Sequence, residues 1–226
     1  REIAIAFGAK VDAPGETTVN TATLHDALRV APKTAEVDFA LDAPRGVVLR
    51  TGKPRYVLPT LPAEDFPALS DFGAFGPPIG LDGKTFAAEL DAVAHAISTE
   101  ETRYYLNGIY FHTAESDGAT MLRAVATDGH RLARIEAPAP AGAAGMPGVI
   151  APRKAVGEIL KLLEDPAKDV TIEISQVKAR FRFGDVTLTT KLIDGTFPDY
   201  NRVIPLHNDK RLIVDKEQFQ KAVDRV

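Results

Sequence analysis

The sequence contains no cysteine and no tryptophan, and only 2 methionines among 226 residues. Without cysteine there is no disulfide, no thiolate nucleophile and no Cys-ligated zinc or iron–sulfur centre. Two methionines are too few for an adaptable Met-rich binding surface. No apolar run approaches the ~18–20 residues that span a bilayer. The first fifteen residues hold Arg1, Glu2, Lys10 and Asp12, so they do not read as a signal peptide. A cytoplasmic protein with no membrane association is the expectation. Positive excess is also lacking. With 27 Lys and Arg against 31 Asp and Glu, the net charge is −4, which excludes a protein that binds nucleic acid with its whole surface and leaves room for a local basic patch. What is present is ordinary globular composition, 45% hydrophobic and 26% charged. The length suits one large domain or two of common size.

The chain repeats itself. Phe66-Pro67 recurs as Phe197-Pro198 at an offset of 131, and Leu24 and Leu28 match Ala155 and Ile159 at the same offset. Gly52 matches Gly184 at 132, and the strand-like run 35–42 matches 168–175 at 133. A second series pairs Asp82, Phe86, Leu90 and Val93 with Asp215, Phe219, Val223 and Val226, all at 133. A period this long means tandem domains rather than a short-repeat solenoid. The units open near Ile79 and again near Leu212. The expected organisation is the later part of one unit over 1–74, a complete unit over 75–207 and the start of a third over 208–226, with proline-rich joints near Ala74 and His207.

Inside the complete unit, Phe86, Leu90, Val93 and Ile97 form a helical stripe over 82–97, which Asp82 can cap. RYYLNGIYFHTA (103–114) reads as a strand. TMLRAVA (120–126) and RLARIEA (131–137) flank an Asp-Gly hairpin signal. The Pro/Ala/Gly stretch 137–148 reads as a mobile connector. The pattern then recurs. A short strand leads to Pro152 in the first turn of a helix carrying Val156, Ile159, Leu160 and Leu163, which Asp165-Pro166 stops. Three strands follow. In the middle one Val177, Ala179, Phe181 and Phe183 alternate with Lys178, Arg180 and Arg182, giving one buried and one basic face. Helix plus three strands, twice, predicts an α+β unit with two helices packed on antiparallel sheets.

The five histidines, His25, His95, His112, His130 and His207, show no ligand spacing, so no metal site is expected; His95 reads as structural or surface. His130 follows Asp128-Gly129. An α+β hydrolase-type enzyme using Asp128 and His130 is the alternative reading, but no nucleophile elbow accompanies them. Gly73, Gly76 and Gly80 surround Pro77-Pro78, and proline removes the N–H groups that would cradle phosphate. Arg153-Lys154, with Lys161 further along, is either a solvated helix face or a phosphate contact at a helix N-terminus. Arg103-Tyr104-Tyr105 opens a strand-like run in which adjacent tyrosines point to opposite faces. Leu106, Leu132, Pro198 and Val203 lie beside turns, and taken alone would be core.

RYYLNGIYF (103–111), AVATDGHRLA (124–133), VIAPRKA (149–155) and KLIDGTFPDYNRVIP (191–205) resemble the bacterial β sliding clamp family, the processivity subunits of DNA polymerase III. LPTLPAEDFP (58–67) resembles a segment of that family's first domain. The family has three similar domains per subunit. The resemblance implies the DNA-clamp fold and a head-to-tail homodimeric ring around duplex DNA, with helices lining the hole and sheets outside. No base is read, no bond is broken and no cofactor is needed. It further implies a groove for hydrophobic partner peptides formed by Leu106, Thr127, Gly129, His130, Arg131, Leu132, Pro198 and Val203, with Arg103 and Tyr105 at its margin. DNA contact falls to Thr99, Arg103, Tyr104 and Tyr105 and to Arg153 and Lys154, and the subunit interface to Tyr56 and Leu58. The implied partners are double-stranded DNA, bound without sequence preference, the polymerase III catalytic subunit, the clamp loader, and other polymerases and repair proteins carrying clamp-binding motifs. The sequence departs from the pattern in two ways. The family's pattern extends beyond both ends, by about fifty residues before Arg1 and by most of a third domain after Val226. Glu100-Glu101 stands where positive or neutral groups would suit phosphate better.

Overall fold

The computed structural model describes residues 1–42, 45–66, 74–163 and 169–226. Asp165-Pro166, Gly73 and Pro67 lie outside the described residues. The chain is α+β. Among the described residues every strand pair is antiparallel, and the strands form three sheets.

The first segment contains β1 (Glu2–Ile5), α1 (Thr21–Arg29), β2 (Val37–Asp42), β3 (Gly46–Thr51) and β4 (Arg55–Leu58). Asn20 caps α1, its side chain accepting from Thr23 N. Strands β2, β3 and β4 form a meander whose inner residues Val47, Leu49 and Leu58 pack with Ala27 of α1. The repeat-matched glycines Gly52 and Gly184 both turn their hairpins with left-handed backbone, φ +74° and +58°. The sequence match therefore corresponds to the same local geometry.

The complete unit runs β5 (Ile79–Leu81), α2 (Gly83–Ala94), β6 (Gly108–Ser116), β7 (Ala119–Thr127), β8 (Leu132–Pro138), then β9 (Val149–Pro152), α3 (Arg153–Leu162), β10 (Val170–Ile174), β11 (Lys178–Phe183) and β12 (Val186–Lys191). Each half is a lead strand, a helix and a three-stranded meander. The lead strands are exchanged: β5 pairs with β10 of the second half and β9 with β6 of the first. The pairing is reciprocal between the two halves. It joins both halves around one core, in which Phe86 of α2 meets Phe111 and Phe181 at centroid distances of 6.3 and 6.5 Å. Strand β1 adds to the edge of β12, so the five-stranded sheet runs β1-β12-β11-β10-β5. After the unit, α4 (Lys216–Val223) is capped by Asp215 as α2 is by Asp82.

Four local expectations need correction. RYY (103–105) does not begin a strand. Arg103 precedes a 3-10 turn, Tyr104–Leu106, and β6 starts at Gly108. The turn is held because Ser98 N donates to Leu106 O and Asn107 Nδ2 to Glu100 O. Pro152 is the N-cap of α3 rather than a first-turn residue. The basic face of β11 is interrupted. Lys178 is buried beside the Ser175 turn, where Ser175 Oγ accepts from its N–H, and Val177 is half exposed. Arg180 and Arg182 both face Glu173. The stretch 137–148 is packed: Ala143 is fully buried, and successive turns bond Ala143 N to Pro140 O and Met146 N to Ala143 O.

Candidate functional site

The four-stranded sheet β8-β7-β6-β9 has two different faces. Alternation along β6 sends Ile109 and Phe111 toward α2 and α3, and Tyr110 and His112 to the other side. On β7, Ala124 and Ala126 face the helices while Val125 faces away with Tyr110. The second face is covered by residues 193–204. Leaving β12, this segment crosses to β9, where Ile193 N donates to Ile150 O. It lays Phe197 flat on Tyr110, with centroids 4.8 Å apart and planes at 9°. It then buries Tyr200 in a 3-10 turn, Tyr200–Val203. Leu106, Val125, Ile150, Phe197 and Tyr200 form a small second core, with Tyr105, Leu132 and Ile204 packed at its edge.

The β7–β8 hairpin frames this surface. Asp128 accepts from His130 N and Arg131 N at 2.9 and 3.0 Å, and its second oxygen accepts from Arg131 Nε at 2.9 Å. The main-chain bonds are the leading cause of a carboxyl held down at about 2. Thr127 Oγ1 donates to Arg131 O and accepts from Gly129 N. Gly129 has φ +89°, and a Cβ there would overlap Arg103 Nη1. The Arg103 guanidinium thus lies against the turn. Glu100 fixes it with two bonds, from Nε at 2.9 Å and Nη2 at 2.6 Å, and the bonded guanidinium holds the Glu100 carboxyl below its usual range. On the other side Tyr104 and Tyr105 pack against Gly195.

Arg103, Tyr105, Leu106, Thr127, Gly129, His130, Arg131, Leu132, Pro198 and Val203 are therefore gathered around one structural surface, from three separate stretches of chain. Their exposures differ. Leu106 is 4% exposed and belongs to the floor, whereas Val203 is 70% exposed beside Ile204 and Pro198 is exposed beside Phe197. Thr99 and Tyr104 are exposed on the loop before β6, and Tyr104 meets Tyr105 edge-on. Arg153 and Lys154 are exposed at the start of α3, on the helix side of the sheet. Tyr56 and Leu58 turn their side chains into their own cluster, Leu58 being 3% exposed; β4 is an edge strand of its meander. An interface there would use the strand edge rather than the Leu58 side chain.

Asp128 bonds to the His130 main-chain N–H, and among the described residues the two side chains do not bond to each other. Both carboxylate oxygens are engaged within the turn, and among the described residues the His130 ring has no hydrogen bond or ion pair. Among the described residues, no group of three potential metal ligands occurs and no helix is long and apolar enough to cross a membrane.

Residues 80–199 match the family model of the DNA polymerase III beta subunit, central domain, and residues 2–70 match that of its N-terminal domain. The chain belongs to the DNA polymerase III beta subunit family. It is 50% identical over 220 residues to the beta sliding clamp of Caulobacter vibrioides, covering 96% of this chain and 59% of that protein. To the Escherichia coli K12 beta sliding clamp it is 36% identical over 214 residues, covering 94% and 56%. The solved structure of Caulobacter crescentus pol III beta superposes with a TM-score of 0.91 at 49% identity, over 96% of this chain and 59% of that one. A Bartonella birtlesii sliding clamp bound to griselimycin gives 0.92 at 48%, over 99% and 60%. The chain thus spans about three fifths of the length of these relatives.

The residues that sequence reasoning missed lie beneath the surface: Tyr110, His112, Arg123, Phe197 and Tyr200. Two signals were available. Tyr110 and His112 are spaced by two on a strand, and Phe197 and Tyr200 by three in a turn.

Proposed function

We propose that this chain is part of a DNA sliding clamp, a processivity factor that encircles duplex DNA and tethers the replicative polymerase through the surface formed by residues 103–106, 127–132 and 193–204. The observation that carries this reading is the two-sidedness of the β8-β7-β6-β9 sheet. Helices with exposed Arg153 and Lys154 cover one face, and an aromatic-backed apolar surface covers the other. One side suits a polyanion and the other a hydrophobic peptide, so both partners can bind at once.

In this reading retention is topological and no bond is broken. Positive groups on the helix side interact weakly with phosphates while the acidic remainder stays away from DNA. Thr99, Arg103, Tyr104 and Tyr105 supply the loop contact. Because Glu100 already compensates Arg103, that loop is a weak phosphate site, which suits sliding. Leu132, Pro198 and Val203 accept apolar side chains from polymerase and clamp-loader peptides, and from other polymerases and repair proteins with such motifs. Thr127, Gly129, His130 and Arg131 form the rim. The edge of β4, at Tyr56 and Leu58, pairs with a second subunit in a head-to-tail homodimer. Residues 1–74, 75–207 and 208–226 are parts of three successive domains, and the protein works in the bacterial cytoplasm.

The test is retention on closed DNA. The full-length protein, loaded on a circular plasmid, is expected to stay bound through gel filtration and to be lost when the plasmid is cut once. Equal retention on circular and linear DNA would contradict the reading.

A further inference from the structure

The His112 ring occupies a fixed place beneath the surface. It stacks on Tyr110, with centroids 4.8 Å apart and planes at 23°, and Tyr110 in turn stacks on Phe197. Its Nδ1 lies 3.0 Å from Thr113 O, a carbonyl that can only accept, so Nδ1 carries the proton in the neutral ring. The Nε2 atom is then an acceptor, and Tyr200 OH donates to it at 2.9 Å. Arg123, the cross-strand neighbour of His112, approaches the same hydroxyl with Nη1 at 3.4 Å and is held by Glu136 at 2.7 Å. Tyr200 begins the turn that ends at Val203 and lies two residues after Pro198.

Building on the peptide-binding reading above, we propose that His112 is a positioning residue for partner recognition: neutral His112 latches Tyr200, and through it the 197–203 rim, to the sheet. It touches no partner itself. The groups that face it are Tyr110 on its own strand, Arg123 on β7 with Glu136 behind it on β8, and Tyr200 on the covering segment. Burial and the Arg123 charge oppose a second proton on the ring and outweigh the Thr113 carbonyl, which favours it, while the Glu136 carboxylate is already paired with Arg123. Protonation turns Nε2 into a donor, so the hydroxyl is left between two cationic donors with its own hydrogen unplaced. Burial, reinforced by the Arg123 charge, holds the His112 pKa below the ordinary histidine value. The sign follows from that direction. The latch is complete at neutral pH and opens as pH falls below the usual histidine range, so partner affinity falls with it.

The test is fluorescence anisotropy of a labelled, histidine-free peptide with a Leu-Phe anchor, titrated into the full-length protein between about pH 7.5 and 5. Wild type is expected to lose affinity on acidification. His112→Gln retains an acceptor and cannot titrate, so it is expected to bind within about twofold of wild type at pH 7.5 and to lose about fivefold less on acidification. Any contribution from the rim imidazole of His130 is common to both proteins and cancels in the comparison. Tyr200→Phe, which keeps the ring, is expected to bind about fivefold more weakly at pH 7.5. Imidazole nitrogen shifts of wild type at pH 7.5 should report the Nδ1–H form. Identical pH profiles for wild type and His112→Gln would overturn the proposal, as would an Nε2–H tautomer. Absence of peptide binding by wild type at every pH would instead overturn the peptide-binding reading itself.

Discussion

Asp128 and Gly129 show how much of the site depends on single atoms. The Asp128 carboxylate is stabilised chiefly by two main-chain N–H groups, and its pKa is lowered to about 2. A depressed carboxyl contributes above its ordinary titration range and loses that contribution as pH falls through the lowered value. The turn is therefore expected to keep its geometry down to about pH 3, read as unchanged amide resonances of Gly129 and His130; collapse between about pH 5 and 4 would contradict this. Gly129→Ala places a side chain at φ +89° and into the Arg103 guanidinium. It is expected to destabilise the protein by roughly 1–2 kcal/mol from backbone strain alone, measured as a lowered denaturant midpoint. An unchanged midpoint would show that the turn can relax. The turn residues were legible because hairpin chemistry is local: Thr-Asp-Gly between two alternating runs specifies a tight reversal. The meeting of His112 with Tyr200 was not, although the spacing of each was visible. Their contact joins residues 88 apart, and no local pattern encodes that segment 193–204 returns over β6.

At the scale of elements, periodicity served well for α2 and α3 and for the three strands after each. Apolar residues at helical or alternating spacing reflect which face is buried. The stretch 103–106 misled because its β-rich composition is overridden by contacts to Ser98 and Glu100, which curl it into a 3-10 turn. Lys178 misled because alternation assigns a face and not an exposure; it is 3% exposed. Capping was legible at Asp82, whose side chain accepts from both Thr85 N and Thr85 Oγ1. Asp82→Ala is expected to lower the melting temperature by roughly 2–4 °C. Calorimetric melting of the variant checks this, and no shift would mean that the α2 N-terminus is held by its strand alone. The start of α3 has no side-chain cap, and Arg153 and Lys154 there are exposed, as the proposed phosphate contact requires. Replacing both by Ala is expected to weaken DNA binding equally across sequences and to reduce the logarithmic salt slope by about two.

For the whole molecule, the tandem repeat was the most informative feature of the sequence. It predicted units of similar build, and repeat-matched positions take similar conformations at Gly52 and Gly184 and similar caps at Asp82 and Asp215. The exchange of β5 and β9 between half-units was not legible, because pairing between strands 38 to 93 residues apart leaves no periodic trace. Alternation along β6 and β7, with helices on one side and residues 193–204 on the other, gives the sheet its two faces, and the functional account rests on that division. The most direct measurement is calorimetric titration of a hydrophobic polymerase-tail peptide into the full-length protein and its Leu132→Ala variant. Leu132 lies where the second core meets the Asp128–Arg131 turn, and in the proposed reading its removal takes apolar contact from the peptide while leaving the helix side intact. Affinity is expected to fall more than about tenfold, with retention on circular DNA unchanged. Equal affinity for wild type and Leu132→Ala would contradict the account.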